Sequence, residues 1–263
     1  VNAEERILKM KLIISPAKKM NIDADTAPCQ GMPVYLEKAQ YLMEYIKTLS
    51  YQQCKTLWKC NDKIAKLNYH RFQQMDLAHA QTPALLSYEG IQYQYLAPKV
   101  LTESALAYLQ SHLRILSGFY GILRPFDAVT PYRLEMQARF REEKLDSLYM
   151  YWGDILAEHL FLEDSLILNL ASKEYRKCIS PYLKKHPGIR MVTCVFGERI
   201  HGKIIEKGTL AKMARGEMVR MLSEHQADNI EEVKTFDRLG YCFCEKDSDK
   251  NTLVFIKEKQ HDK

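Results

Sequence analysis

The sequence predicts a mixed α/β domain. Short apolar, β-branched stretches alternate with segments of helical spacing, and several neighbouring strand candidates have no crossover helix between them, which a purely parallel sheet would require. No internal repeat or long flexible linker interrupts the pattern. Residues 10–257 are therefore assigned to one domain, with 1–9 as an N-terminal extension and 258–263 as a C-terminal tail.

In chain order, residues 11–15 read as a short buried strand stopped by Pro16. Pro33 suits a first helical turn, and Tyr35, Leu36, Ala39, Leu42, Met43 and Ile46 then share one helical face. Ser50 is placed to cap a short helix through Leu57. Asn61 or Asp62 caps the next, which turns Ile64, Leu67, Phe72 and Met75 inward. Residues 84–88 and 91–95 flank Glu89-Gly90 and read as a hairpin. A helix over 102–112 leads to a strand at 113–116, and the prolines within 123–131 make that stretch a loop. Ser147 caps a helix that buries Leu148, Trp152, Ile155, Leu156 and Leu160. Strands follow at 166–170, 191–196 and 203–205. Thr209 opens a helix with Leu210, Ala214, Met218, Met221 and Leu222 inside, and 241–245 with 253–257 close the chain as a hairpin.

Composition narrows the class of protein. With 46% hydrophobic and 27% charged residues, only 11 Gly and 9 Pro, and no biased tract, collagen-like, mucin-like and disordered readings fall away. No stretch approaches the ~18 apolar residues of a membrane span. The first nine residues carry Glu4, Glu5, Arg6 and Lys9, and the apolar run at 12–14 is too short for a secretion signal, so a cytoplasmic location without membrane contact is expected. The odd, scattered set Cys29, Cys54, Cys60, Cys178, Cys194, Cys242 and Cys244 is then expected as reduced thiols.

The net charge of +5 hides an asymmetry. Residues 176–220 hold eleven Lys and Arg against three Glu, and residues 51–75 hold Lys55, Lys59, Lys63, Lys66 and Arg71 against Asp62 alone. Two basic segments on an otherwise acidic body suit a polyanion footprint, and they also suit two solvated helical faces.

Four local features go beyond scaffold needs. IISPAKK at 13–19 ends a strand in Ser15-Pro16 and presents Lys18 and Lys19, where open α/β sheets gather ligands. LSGFYGILRPFDAVTPYRLEM at 116–136 carries Tyr120, Arg124 and Arg133, with Asp127 and Glu135 available to orient the guanidiniums through bidentate pairs. NLASKEY at 169–175 supplies Asn169, Ser172 and Glu174 after a strand. KMARGEM at 212–218 sets Lys212 and Arg215 on one helical face, with Gly216 allowing close packing. The GxSxG, Walker A, GxGxxG and HExxH signatures do not occur. Cys242 and Cys244 share a strand face without a CxxC or paired His, so no metal site and no cofactor are expected.

Together IISPAK, LSGFYG, LRPFD, PYRLEM, YWGDI at 151–155, NLASKEY and ARGEM resemble the YaaA family of bacterial peroxide-stress proteins, from Met10 to about Ile256. The resemblance implies a family-specific mixed α/β fold with a positively charged cleft, a helix-hairpin-helix element and DNA binding through that cleft. It also implies a cytoplasmic protein, induced by hydrogen peroxide, that limits unincorporated iron and hence Fenton chemistry. Residues 52–74 match the helix-hairpin-helix stretch, but the turn at 59–62 lacks the Gly-hydrophobic-Gly sequence. The family's SPAKT reads SPAKK here, which removes a hydroxyl at position 19.

Two functions follow as expectations. The first is DNA binding without sequence preference through Lys55, Lys59, Lys63, Lys66 and Arg71, together with the 176–220 cations in one groove. The second is an enzyme acting on a nucleotide, nucleic-acid base or related small anion. Its pocket would gather Ser15, Lys18, Tyr120, Arg124 and Arg133 with Glu135, Asn169, Ser172, Glu174, Lys212 and Arg215. Glu135 or Glu174 would be its general base. Direct iron sequestration is disfavoured, because no His/Glu or His/Asp set has ligand spacing.

Overall fold

Leu12, Ile13 and Ile14 of strand β1 (Lys11–Ile14) are fully shielded from solvent. A strand buried on both faces belongs inside a parallel array. That is its place in the computed structural model, which describes residues 10–142 and 145–257. The expected N-terminal extension and C-terminal tail lie outside the described residues.

On one side β1 pairs in parallel with β2 (Leu113–Ser117), which turns back into antiparallel β3 (Gly121–Leu123). On the other it pairs in parallel with β4 (Leu166–Asn169), and β4 pairs in parallel with β5 (Arg190–Ile200). The short β6 (Lys203–Ile205) folds back on the carboxyl end of β5. A terminal hairpin of β7 (Tyr241–Phe243) and β8 (Thr252–Lys257) completes the edge, with β8 parallel to β5. The order β7-β8-β5-β4-β1-β2-β3, with β6 on β5, makes the mixed sheet that the sequence predicts.

Side-chain caps open several of the helices. After α1 (Leu36–Thr48), Ser50 and Gln53 form a reciprocal capping box that opens α2 (Tyr51–Trp58). Asn61, not Asp62, caps α3 (Asp62–Gln73) by accepting from the Ile64 N–H at 3.0 Å. α3 buries Ala65, Asn68 and Phe72, whereas Leu67, expected inside, is 52% exposed. The two helices and their turn stand where the resemblance places a helix-hairpin-helix. The turn puts Lys59 at φ 44° in the left-handed region.

The expected hairpin at 84–95 is wrong. Residues Ala84–Ser87 form one helical turn, and Ile91–Leu96 form helix α4 after an extended Gly90. Gln92, Tyr93 and Leu96 are its buried residues, a spacing that suits a helix and not a strand. Thr102 caps α5 (Glu103–His112). The single helix expected after Ser147 is two, α6 (Leu148–Trp152) and α7 (Ile155–Glu163), separated at Gly153 where φ is +52°. α8 (Gly208–His225) packs on α4 through Gly216, where a Cβ would stand 2.2 Å from the Gln92 carbonyl oxygen.

From β1 the chain goes to β2 on one side, and later to β4 on the other. Beyond the carboxyl ends of β1 and β4 the strand order therefore reverses, the crevice where open α/β sheets bind ligands.

Candidate functional site

Ser15 leaves β1 and Ser172 follows β4, so the two meet across this crevice. Ser15 Oγ accepts from the Ser172 N–H at 2.8 Å and donates to Ser172 Oγ at 3.2 Å. Asn169 holds the second loop from behind, accepting from the Ala171 N–H at 3.1 Å and donating to Thr193 Oγ1 at 3.3 Å.

The third wall is the 132–136 strip, and the glycines of 116–121 place it. A Cβ at Gly118 would lie 2.6 Å from the Leu134 carbonyl oxygen, so only glycine lets the strip approach this closely. Trp152 locks the other side by donating from Nε1 to the Gly118 carbonyl at 3.0 Å, and its ring fills the space beside Gly121. YWGDI thus works as a clamp on the loop. The fourth wall comes from α4 and α8, whose contact at Gly216 brings Arg215 and Lys212 to the opening.

These walls enclose a cavity of about 440 Å³. Ser15, Lys18, Arg133 and Glu135 line it, joined by Ser172, Glu174, Lys212 and Arg215. Three expected members lie elsewhere. Tyr120 is fully buried and closes a pair of hydrogen bonds with the Thr130 backbone. Asn169 acts behind the wall. Arg124 is exposed on a separate cavity with Asp127, Arg114 and His159. Asp127 accepts from the Arg124 backbone N–H at 2.8 Å, so the expected side-chain pair is replaced by a turn.

Sequence reasoning missed Glu89, Gln92 and Tyr93, because it read Glu89 as the turn and the other two as a strand of a hairpin. Tyr93 donates to the Ser15 carbonyl at 3.0 Å, and Tyr132 shares a 2.6 Å hydrogen bond with Ser117. With Tyr175 these rings form a floor whose hydroxyls stay neutral, since burial pushes Tyr132 up to about 12 and raises Tyr93 and Tyr175 strongly.

The charges in the cavity are mixed. Lys18 pairs with Glu135 at 2.7 Å, Lys19 with Glu89, and Arg215 with Glu206 at 3.0 Å. Arg133 reaches Glu135 through Nη2 at 3.3 Å, one contact where the sequence suggested a fork. Among the described residues the Nε–H of Arg133 and of Arg215 both lack a partner, and the two side chains are only 10% and 12% exposed. An unmet buried donor destabilises by about 1–3 kcal/mol, so these two donors are unused hydrogen-bonding capacity at the site. Burial raises the Glu174 carboxyl, with Glu135 adding to the effect, against the Gln137 N–H that Glu174 accepts at 3.2 Å.

A smaller cavity of about 100 Å³ shares Lys18, Arg133 and Glu135 with the first and is closed by Trp58 and Lys59. The α2–α3 turn therefore borders the cleft. Burial pushes the Cys60 thiol up while Arg133 and Lys55 pull it down, an electrostatic link across the same border. Among the expected cations of this element, Lys59, Lys63 and Lys66 are exposed. Lys55 is engaged by Asp62 at 2.9 Å, and Arg71 turns inward to the Met20 carbonyl at 3.1 Å.

The 176–220 cations do not share one groove. Lys212 and Arg215 line the cavity, but Arg190, at the amino end of β5 and so at the opposite edge of the sheet, donates to the Lys250 carbonyl at 3.0 Å. Lys207 pairs with Glu198 at 2.7 Å and Arg220 with Glu224 at 2.8 Å. None of the seven cysteines is in a disulfide. Among the described residues no three His, Cys, Asp or Glu side chains are grouped to hold a metal, and no helix is long and apolar enough to cross a membrane.

Sequence comparisons give the family. A UPF0246 protein of Pediococcus pentosaceus is 50% identical over 252 residues, covering 96% of this chain and 100% of the relative. UPF0246 proteins of Desulfitobacterium hafniense and Lactiplantibacillus plantarum are each 53% identical over 94% of this chain, covering 98% and 99% of their own lengths. The profile described as "Peroxide stress protein YaaA" matches residues 10–247, which include every wall of the cavity and the α2–α3 turn. The chain belongs to the YaaA family of peroxide stress proteins.

Proposed function

We propose that the protein serves the peroxide-stress response in the cytoplasm by binding DNA without sequence preference, along the α2–α3 turn and the mouth of the cleft. The observation that carries this reading is the shared border: Lys18, Arg133 and Glu135 line both the main cavity and the small one closed by Lys59. Phosphates need closely spaced cations that are free to exchange counterions. Lys59, Lys63, Lys66 and Lys212 are exposed cations on this path, joined by the exposed Lys18 and Lys19, which Glu135 and Glu89 pair. Lys55 and Arg71, held by their own partners, play a structural part. Bound protein would shield DNA from Fenton damage, and the limit on unincorporated iron that the family resemblance implies would need no iron ligand on this chain. Titration of a labelled duplex against the protein at several salt concentrations tests the reading. Affinity that falls steeply as salt rises is expected; absence of binding at low salt contradicts it.

A second reading, an enzyme acting on a nucleotide, nucleic-acid base or related anion, is favoured by the half-buried Glu174 carboxyl. Burial raises its proton affinity among the cations of an enclosed cavity, the condition a general acid or base needs.

A further inference from the structure

We propose that the main cavity is a binding site for a phosphate monoester with a body the size of a nucleoside, its terminal phosphoryl group held between Arg133 and Arg215. The inference rests on the second reading and names its ligand class.

The argument starts from the two guanidiniums. Each presents an Nε–H and an Nη2 on one edge, a fork suited to two oxygens of an oxyanion. In each, Nη2 alone meets a glutamate oxygen and Nε–H meets nothing. Two half-filled forks on one cavity call for an anion with at least three oxygens. A terminal phosphoryl group has three; a phosphodiester has two non-bridging oxygens, and a carboxylate has two. The charge agrees, because five Lys and Arg side chains against three Glu line the cavity, a surplus of +2 that matches the charge of about −1.5 to −2 on a monoester. Ser15 and Ser172 place hydroxyls on the same wall.

The rest of the cavity fits the body. Ligand pockets of about 300–1,000 Å³ hold small molecules, and 440 Å³ is room for a mononucleotide but not for a strand passing through. Tyr93, Tyr132 and Tyr175 supply aromatic and apolar surface for a ring, and Glu174 offers an acceptor to sugar hydroxyls or an exocyclic amine. A free nucleotide and the phosphorylated end of a strand share this chemistry.

The test is calorimetric titration of the full chain with inorganic phosphate, the four common nucleoside 5′-monophosphates, the matching unphosphorylated nucleosides and a 5′-phosphorylated dinucleotide. At least one monophosphate is expected to bind about tenfold or more tighter than both its nucleoside and phosphate alone, a margin typical of charge-assisted hydrogen bonds. Arg133→Gln and Arg215→Gln should each remove that margin, and so should the exposed Lys212→Gln in part, which covers the case of an arginine variant that does not fold. Lys250→Gln, exposed beside Arg190 at the far end of the sheet, should keep it. Hydrogen exchange should slow at 132–136 and 171–175 when the monophosphate is added. Binding of the dinucleotide equal to the mononucleotide assigns the ligand to strand ends, and its exclusion assigns it to free nucleotides; either supports the proposal. Nucleosides binding as well as their monophosphates would overturn the phosphate site and leave the second reading standing. No binding by any probe would overturn both.

Discussion

Glu174 is where sequence and structure agree most usefully at the scale of single residues. The sequence offers Glu135 or Glu174 as a general base, and the structure half-buries Glu174 and raises its proton affinity. Its folded-state proton affinity lies above the ordinary carboxylate value of 4.5, so ionising it works against folding. That penalty is full above the raised value, shrinks as pH falls through it, and is absent below 4.5, where folded and unfolded chains are both protonated. Glu174→Gln keeps an acceptor for the Gln137 N–H without the charge. Thermal melts from about pH 8 down to about pH 4 should show the variant more stable at the alkaline end, with the gain vanishing at the acid end. A gain that is constant across pH would show that charge is not the cause. The residues that failed as site members failed for a common reason. Tyr120, Asn169 and Arg124 stand in the right motifs, but a motif fixes which segment reaches a site and not which way each side chain turns.

The elements of the site are set by close backbone approaches. Gly216 brings α8 against α4, and Gly118 brings the 116–121 loop against the 132–136 strip. Both glycines were visible in the sequence; their partners were not, because contacts between distant segments leave no local pattern. The hairpin error at 84–95 has the same root, since a few alternating apolar residues suit a strand or a short helix equally. Gly216→Ala gains helix propensity of about 1 kcal/mol, yet its Cβ would meet the Gln92 carbonyl oxygen, which no rotamer can relieve. Overpacking of this kind loses about 1–3 kcal/mol, so a lower melting temperature and a weakened cavity ligand are expected. A raised melting temperature would mean that α4 and α8 separate freely. Lys59 offers the opposite case. Its left-handed backbone favours glycine, so Lys59→Gly should leave stability equal or higher while lowering the salt dependence of DNA binding by about one counterion. Loss of stability in that variant would mean that the lysine stem supports the turn.

Across the whole molecule, the mixed sheet, the buried first strand, most helix caps and the family were legible in the sequence, because periodicity, capping residues and motif order are local properties. The expected single groove was not. Charge counted along 51–75 and 176–220 could not reveal that Arg190 lies at the far end of the strands from Lys212, nor that Lys55, Lys207 and Arg220 are already matched by carboxylates. What remains is smaller and more specific: one enclosed cavity, bordered by one basic turn. The most direct test of that continuity is the hydrogen-exchange footprint of duplex DNA on the protein. Slowed exchange is expected in a single complex at both 59–66 and the cleft segments 15–19 and 132–136, with 184–190 unaffected. Protection confined to 184–190, or to the turn with the cleft unchanged, would contradict the shared surface.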